Sequence, residues 1–343
     1  MTKIYQNTTV ALAGIALLIQ GCATSDMVSV DSVVPRYKVE KDRVEVVLGK
    51  EKTQASIETS DWSRVENLFN ITGNDERSVF ISKPDASPTQ DAIVYTELKN
   101  GSSAIFRQAT INRAKTSVTD PDSLNQTPAF TPDGKFLVFS SNRSGEGQDL
   151  WRKRADGAGG ITQLTRSSAF DFSPSIGADG ETIVFQSHRL NDLRASVWSV
   201  NINGGLLTQL GDGETPKVSP DGRQIAYVRR DTKTNETSIW LMQIDGSGQT
   251  ELSTGAANDI DPSWHPSGRY IVFSSNQGKD ESGRSNFNVW MMNVDGTERV
   301  QLTTNRSHDD GPVFDQTGRK VIFRSNRGGV WNIFGFESNL RTS

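Results

Sequence analysis

The sequence predicts an all-β fold, a six-bladed β-propeller with four antiparallel strands per blade. Three observations carry that expectation. A tight turn recurs at Pro132-Asp133-Gly134, Ala178-Asp179-Gly180, Pro220-Asp221-Gly222, Pro266-Ser267-Gly268 and Gln316-Thr317-Gly318, with its glycines 42 to 50 residues apart. A proline precedes each glycine by six residues (Pro128, Pro174, Pro216, Pro262, Pro312), and an aromatic follows by five (Phe139, Phe185, Tyr227, Phe273, Phe323). Behind these come a tryptophan (Trp151, Trp198, Trp240, Trp290, Trp331) and a leucine in Gln163-Leu164-Thr165, Gln209-Leu210, Glu251-Leu252-Ser253 and Gln301-Leu302-Thr303.

Each copy reads as four short strands. The first ends at the Asp-Gly-type turn, where glycine supplies the positive φ of a tight hairpin. The second carries the Phe or Tyr, as in Phe136-Leu137-Val138-Phe139; the third carries the Trp and the fourth the Leu. A more degenerate copy comes first, marked by Phe80, Asp85, Tyr95 and Phe106. Repeats of this length with four strands make propeller blades, whose large rings fill the gaps between neighbouring sheets. The last copy has no Leu-Thr strand before Ser343, whereas a spare one, Asn67-Leu68-Phe69-Asn70-Ile71-Thr72, lies upstream of the first. That segment is expected to close the ring as the outer strand of the sixth blade, removing an exposed sheet edge.

Composition agrees. Of 343 residues, 34% are hydrophobic, with 30 glycines and 12 prolines, as suits many short strands and turns. A net charge of −4 without a basic run argues against nucleic acid.

The N-terminus reads as a lipoprotein signal over residues 1–21. Lys3 precedes the apolar run Val10 to Ile19, too short to span a bilayer, and the run ends in Ile19-Gln20-Gly21-Cys22. This resembles the bacterial lipobox. Cys22 is the only cysteine, so it is the expected lipid attachment site and no intrachain disulfide is possible. By the usual sorting rule, Ala23 rather than Asp after the cysteine implies a Gram-negative outer membrane, with the propeller facing the periplasm. Residues 22–60 read as a tether, with a short strand suggested where Val44, Val46 and Leu48 alternate, and residues 61–343 as the propeller.

The copies resemble the repeats of the TolB C-terminal propeller, roughly D-x-x-P-x-[FW]-S-P-D-G, then I-x-F-x-S-x-R, an aromatic and Q-L-T. Asp259-Ile260-Asp261-Pro262-Ser263-Trp264-His265-Pro266-Ser267-Gly268 and Val321-Ile322-Phe323-Arg324-Ser325-Asn326-Arg327 carry the match. The resemblance implies binding of an envelope protein or a Pal-like, peptidoglycan-associated partner. The sequence departs from the family's two-domain form, since the stretch between Cys22 and Leu68 is too short for an α/β domain.

The candidate site follows from strand parity. Asp75, Asn125, Asp171, Gly213, Asp259 and Asp309 precede the innermost strands and should ring one mouth of the channel. The loops between second and third strands share that face and bring Arg143, His188, Arg189, Arg229, Arg230, Lys279, Arg284 and Arg327. Asp171, Asp259, Asp309, Arg143, Arg189, Lys279, Arg284 and Arg327 are the candidate partner-binding residues. The alternative role for each acid is structural, accepting turn N–H groups or pairing with an Arg. Gly213 and Asn125 break the ring, and the loop from Asn276 to Asn288 is the longest of its kind, which is where binding is usually placed. His188, His265 and His308 lack zinc spacing, and no nucleophile–base set, phosphate loop or G-x-S-x-G is present. The sequence therefore predicts a non-catalytic, membrane-anchored binding protein without metal or cofactor. A carbohydrate- or small-ligand-binding (or carbohydrate-active) protein using the channel is the alternative.

Overall fold

The computed structural model describes residues 36–40, 43–48, 51–53, 65–145, 147–189, 194–253, 257–278 and 284–338. The segment expected to be a signal, residues 1–21, Cys22 and Lys279 lie outside them. The chain divides into two units, residues 1–56 and 57–343. The first contains an antiparallel sheet of Arg36–Glu40, Arg43–Leu48 and Glu51–Thr53, so the alternating Val44, Val46 and Leu48 fall in its central strand.

The second unit is a ring of six antiparallel sheets. The innermost strands of blades 2 to 6 are Asn125–Phe130, Asp171–Ile176, Glu214–Val218, Asp259–Trp264 and Asp309–Phe314. In blade 1 this strand is split into Val79–Ile81 and Asp85–Ala86. Each innermost strand of blades 2 to 6 carries a bulge just before its proline. A proline cannot donate to a ladder, so it is accommodated where the pairing is already broken.

The predicted aromatics pack between blades. Tyr95, Phe139, Phe185, Tyr227, Phe273 and Phe323 are fully buried, one in each second strand. Six apolar clusters form, each joining two neighbouring blades; Val138, Leu150 and Leu164 of blade 2, for example, meet Ile183, Phe185 and Val200 of blade 3. Burying one such ring contributes about 1.5–3 kcal/mol, so the gaps rather than the single sheets hold the ring together.

The recurring Leu-Thr has a hydrogen-bonding cause. The hydroxyls of Thr165, Ser253 and Thr303 accept the backbone N–H of Leu150, Ile239 and Val289 at 2.8–2.9 Å, extending the pairing of the two outer strands by one bond. Thr119 does the same for Ile105 in blade 1 at 2.9 Å. Thr72 takes this role at the seam, accepting from Ile333 at 3.0 Å. Val65–Asn70 is accordingly the outer strand of blade 6, paired with Asn332–Ser338 through Asn70↔Phe334 and Phe69↔Gly335. The expected closure of the ring is present.

One assignment differs. Trp331 does not sit opposite Phe323 as its counterparts sit opposite theirs. Phe139, Phe185, Tyr227 and Phe273 pair with Trp151, Trp198, Trp240 and Trp290, but Phe323 pairs with Phe334. Trp331 follows Phe323 by only eight residues, against 12 to 17 for the tryptophans of blades 2 to 5, so it falls at the strand's threshold, on the end face of the propeller.

Candidate functional site

The innermost strands begin on one end face, here the loop face, with the loops joining second to third strands. They end on the other, the turn face, with the Asp-Gly hairpins. The predicted acids stand at the loop-face ends, but they point into the blades. Asn125, Asp171, Asp259 and Asp309 are almost wholly buried. Asp171 pairs with Arg189 and accepts the Ser187 hydroxyl at 2.6 Å. Asp309 accepts two bonds from Arg327, at 2.8 and 2.9 Å, and one from the Asn305 amide at 2.7 Å. Each guanidinium lies over the aromatic pair of its own blade, Arg189 on Phe185 and Trp198, Arg327 on Phe323 and Phe334. Burial, a paired charge and a ring face together make a clamp.

The variations on this clamp are chemically consistent. Asn125 also receives Arg143, at 2.7 Å, but its amide nitrogen donates to the carbonyls of Ser103, Asp120 and Ser123. A carboxylate would face three acceptors there with no proton to offer. In blade 5, Gln277 stands where the arginine would be, and Arg299 arrives from the next hairpin to reach Asp259 at 3.1 Å and cover Phe273 and Trp290. In blade 4 the acid is gone: a Cβ on Gly213 would lie 2.5 Å from Cδ2 of Tyr227, so ring volume takes the carboxylate's place. Arg229 still covers Trp240, at 4.4 Å. In blade 1, Lys115 covers Phe106 at 4.1 Å and pairs with Glu97. Asp75 is exposed and outside the ring.

Of the predicted partner-binding residues, Asp171, Asp259, Asp309, Arg143, Arg189 and Arg327 therefore lie inside blades, joined in intra-blade pairs. Arg284 is exposed on the loop face. His265 is structural: its ring meets Phe314 edge-on at 4.7 Å, Nδ1 contacts the Ser267 hydroxyl at 2.8 Å, and burial lowers its pKa. Among the described residues no group of three or more His, Cys, Asp or Glu could hold a metal ion.

Two other features emerge. The first is a chain of rings on the loop face, where blades 5, 6 and 1 meet, with Phe80, His308 and Trp331 half-buried and Phe287 buried at its end. Phe287 and His308 are 5.1 Å apart, His308 and Trp331 5.5 Å, and Trp331 and Phe80 6.3 Å. Arg324 lies 4.2 Å from Trp331 and is fixed from below by Asp310. Burial alone would raise the Asp310 carboxyl, but Arg324 and Lys83 outweigh it and hold it well below the usual carboxylate range.

The second is the channel. Lys83 reaches across it from blade 1 to Asp261 of blade 5, at 2.7 Å. Beyond that pair, towards the turn face, a cavity of about 420 Å³ is lined by the innermost strands of all six blades. Sequence reasoning passed over Lys83. The signal was present in Pro84 and Pro88, which repeat the spacing of Pro128 and Pro132, of Pro216 and Pro220, and of Pro262 and Pro266. Aligning them puts Lys83 level with Thr127, Ser173, Thr215, Asp261 and Gly311.

Comparison with known proteins agrees with this architecture. The putative TolB of Agrobacterium tumefaciens superposes with a TM-score of 0.59 at 18% identity, over 80% of this chain and 97% of that one. TolB from Acinetobacter baumannii gives 0.58 at 18% identity, over 81% of each chain. An oligogalacturonate lyase in complex with manganese gives 0.55 at 12% identity, over 82% and 95%, so the shared fold also carries enzymes. In sequence, an uncharacterized protein of Agrobacterium fabrum is 27% identical over 132 residues, 37% of this chain and 44% of that relative, so the match spans less than half of either. The TolB beta propeller domain matches residues 43–285, most of the chain, and the protein belongs to that family.

Proposed function

We propose that this protein is a non-catalytic envelope propeller that docks a protein partner on its loop face, held to the outer membrane by a lipid on Cys22. The observation that carries this reading is the ring chain Phe80–Trp331–His308–Phe287 with Arg324 beside it. Trp, other aromatics and Arg are the side chains that dominate binding at interface centres. The rings stand where Trp331 leaves the packing position that the other blades' tryptophans occupy. Arg284, three residues before Phe287, and Arg306, two before His308, are exposed and supply a charged rim. Rim charges favour specificity and association rate more than affinity.

Family membership supports a protein partner, and a Pal-like, peptidoglycan-associated protein is the candidate. The test is cross-linking in cells followed by capture of the tagged protein. Trp331→Ala and Phe80→Ala should each reduce the captured partner about tenfold or more, as loss of an interface anchor does. Arg284→Glu should weaken capture less and mainly slow association. The docking face is wrong if these variants retain the partner while substitutions at the turn-face tips Ile111 and Leu206 lose it. For the anchor, Cys22→Ser should move the protein out of the membrane fraction or leave it unprocessed; retention of the processed form in the membrane would refute lipidation there.

A further inference from the structure

We propose that the cavity at the turn-face mouth of the channel binds a small zwitterion, an ammonium and a carboxylate a short distance apart, through Asp85 and Lys217. The site lies on the face opposite the ring cluster and does not depend on the docking reading.

The residue after the innermost-strand proline lines the cavity in every blade: Asp85, Ala129, Ser175, Lys217, Ser263 and Val313. Four of the six are small or apolar and uncharged. The other two carry opposite charges, and blades 1 and 4, which bear them, stand across the ring from each other. They face one another across the axis, with Lys217 Nζ 3.5 Å from Asp85 Oδ1. Both side chains remain partly exposed, at 28% and 20%. A long, wet ion pair of this kind contributes little to folding, so stability does not account for it.

The pair is built to open. Asp85 is held in place independently of Lys217, because its Oδ2 accepts the Phe130 backbone N–H at 2.9 Å. Lys217 is anchored only through its backbone, whose carbonyl accepts the Trp264 indole N–H at 2.9 Å. Its four-carbon stem leaves the ammonium free to swing. A ligand with one charge would satisfy one partner and face repulsion from the other. A ligand with both charges satisfies Asp85 with its ammonium and Lys217 with its carboxylate, so neither protein charge is left unpaired. The uncharged lining from Ala129, Phe130, Val313 and Phe314 suits a short aliphatic body, and a cavity of about 420 Å³ suits a small molecule.

A second ion pair, Lys83–Asp261, spans the channel two residues earlier on the innermost strands of blades 1 and 5. Lys83 crosses over Gly311, where a Cβ would come 2.5 Å from its Cγ. The zwitterionic group could belong to a free amino acid or to a side chain presented on a larger molecule. Both share the chemistry that Asp85 and Lys217 would read.

The test is calorimetric titration of the full mature chain with glycine, β-alanine and γ-aminobutyrate, and with propionate and propylamine as single-charge controls. At least one zwitterion should bind about tenfold or more tightly than both controls. Asp85→Asn and Lys217→Met should each abolish that preference while leaving thermal unfolding unchanged. Nε-acetyl-lysine, which presents a zwitterion on a blocked stem, distinguishes the sources: binding comparable to the free compounds admits a presented group, and exclusion points to a free ligand. Absence of saturable binding by every zwitterion, or undiminished binding in both variants, overturns the proposal.

Discussion

Blades 3 and 4 are neighbours of nearly the same sequence length, and they solve one packing problem in opposite ways. Blade 3 places Asp171 at the start of its innermost strand, pairs it with Arg189 and lays the guanidinium on Phe185 and Trp198. Blade 4 has Gly213 there and Tyr227 in place of the phenylalanine; the ring fills the space, and the residue level with Arg189, Asp231, caps its own loop through the backbone N–H groups of Lys233 and Thr234. The acid, the arginine and the phenylalanine have been replaced together. A residue whose loss is offset by ring volume in the same blade is serving the blade. Acids repeated around a channel mouth are thus to be judged by burial and partners before they are read as a binding ring.

The largest expected effect tests the clamp itself. Asp309→Ala leaves the largely covered Arg327 without its carboxylate and should cost about 3 kcal/mol, the lower end of the scale for breaking one side of a buried pair. Chemical denaturation of the variant measures it, and a loss under 1 kcal/mol would remove the contrast between the blades.

Gly213→Ala attacks the other solution. The new methyl must displace the Tyr227 ring or the Val228 carbonyl, so about 1–3 kcal/mol should be lost, as in other overpacked cores. The same denaturation experiment compares the two blades directly.

A pH series sharpens the comparison at Asp310. Its carboxyl is held below the ordinary value near 3.9, so its stabilising contribution is complete above that pH and is lost as pH falls below it. Asp310→Asn should therefore flatten the acid limb of stability against pH, by at most about 1.4 kcal/mol per pH unit. An unchanged slope would mean that Arg324 does not hold the charge.

The smallest effect is expected from Gln277→Arg. Arg299 already occupies the aromatic face and pairs with Asp259, so restoring the consensus arginine should change stability by no more than about 0.5 kcal/mol. Paired with Arg299→Gln, however, it should recover most of what Arg299→Gln alone loses.

The amino-acid sequence by itself determined the architecture. Period, turn glycines, prolines and the alternation of buried aromatics are local or strictly repeating, and each repeat can bury its faces only against a copy of itself. Even the ring closure was legible, because Leu68 to Thr72 is a fourth strand with no blade of its own, and Thr72 bonds to Ile333 as the other blades' hydroxyls do to theirs. Tertiary structure alone decided where the charges point. Asp171, Asp309 and Asp85 are all acids of innermost strands, yet the first two are buried in their blades and Asp85 lines the channel cavity, because which side of a bulged strand faces inward is set by its pairing. Likewise Arg299 replaces an arginine 22 positions earlier, and Lys217 meets Asp85 from across the ring. Such contacts join residues far apart in the sequence, and only the closed ring brings them within reach.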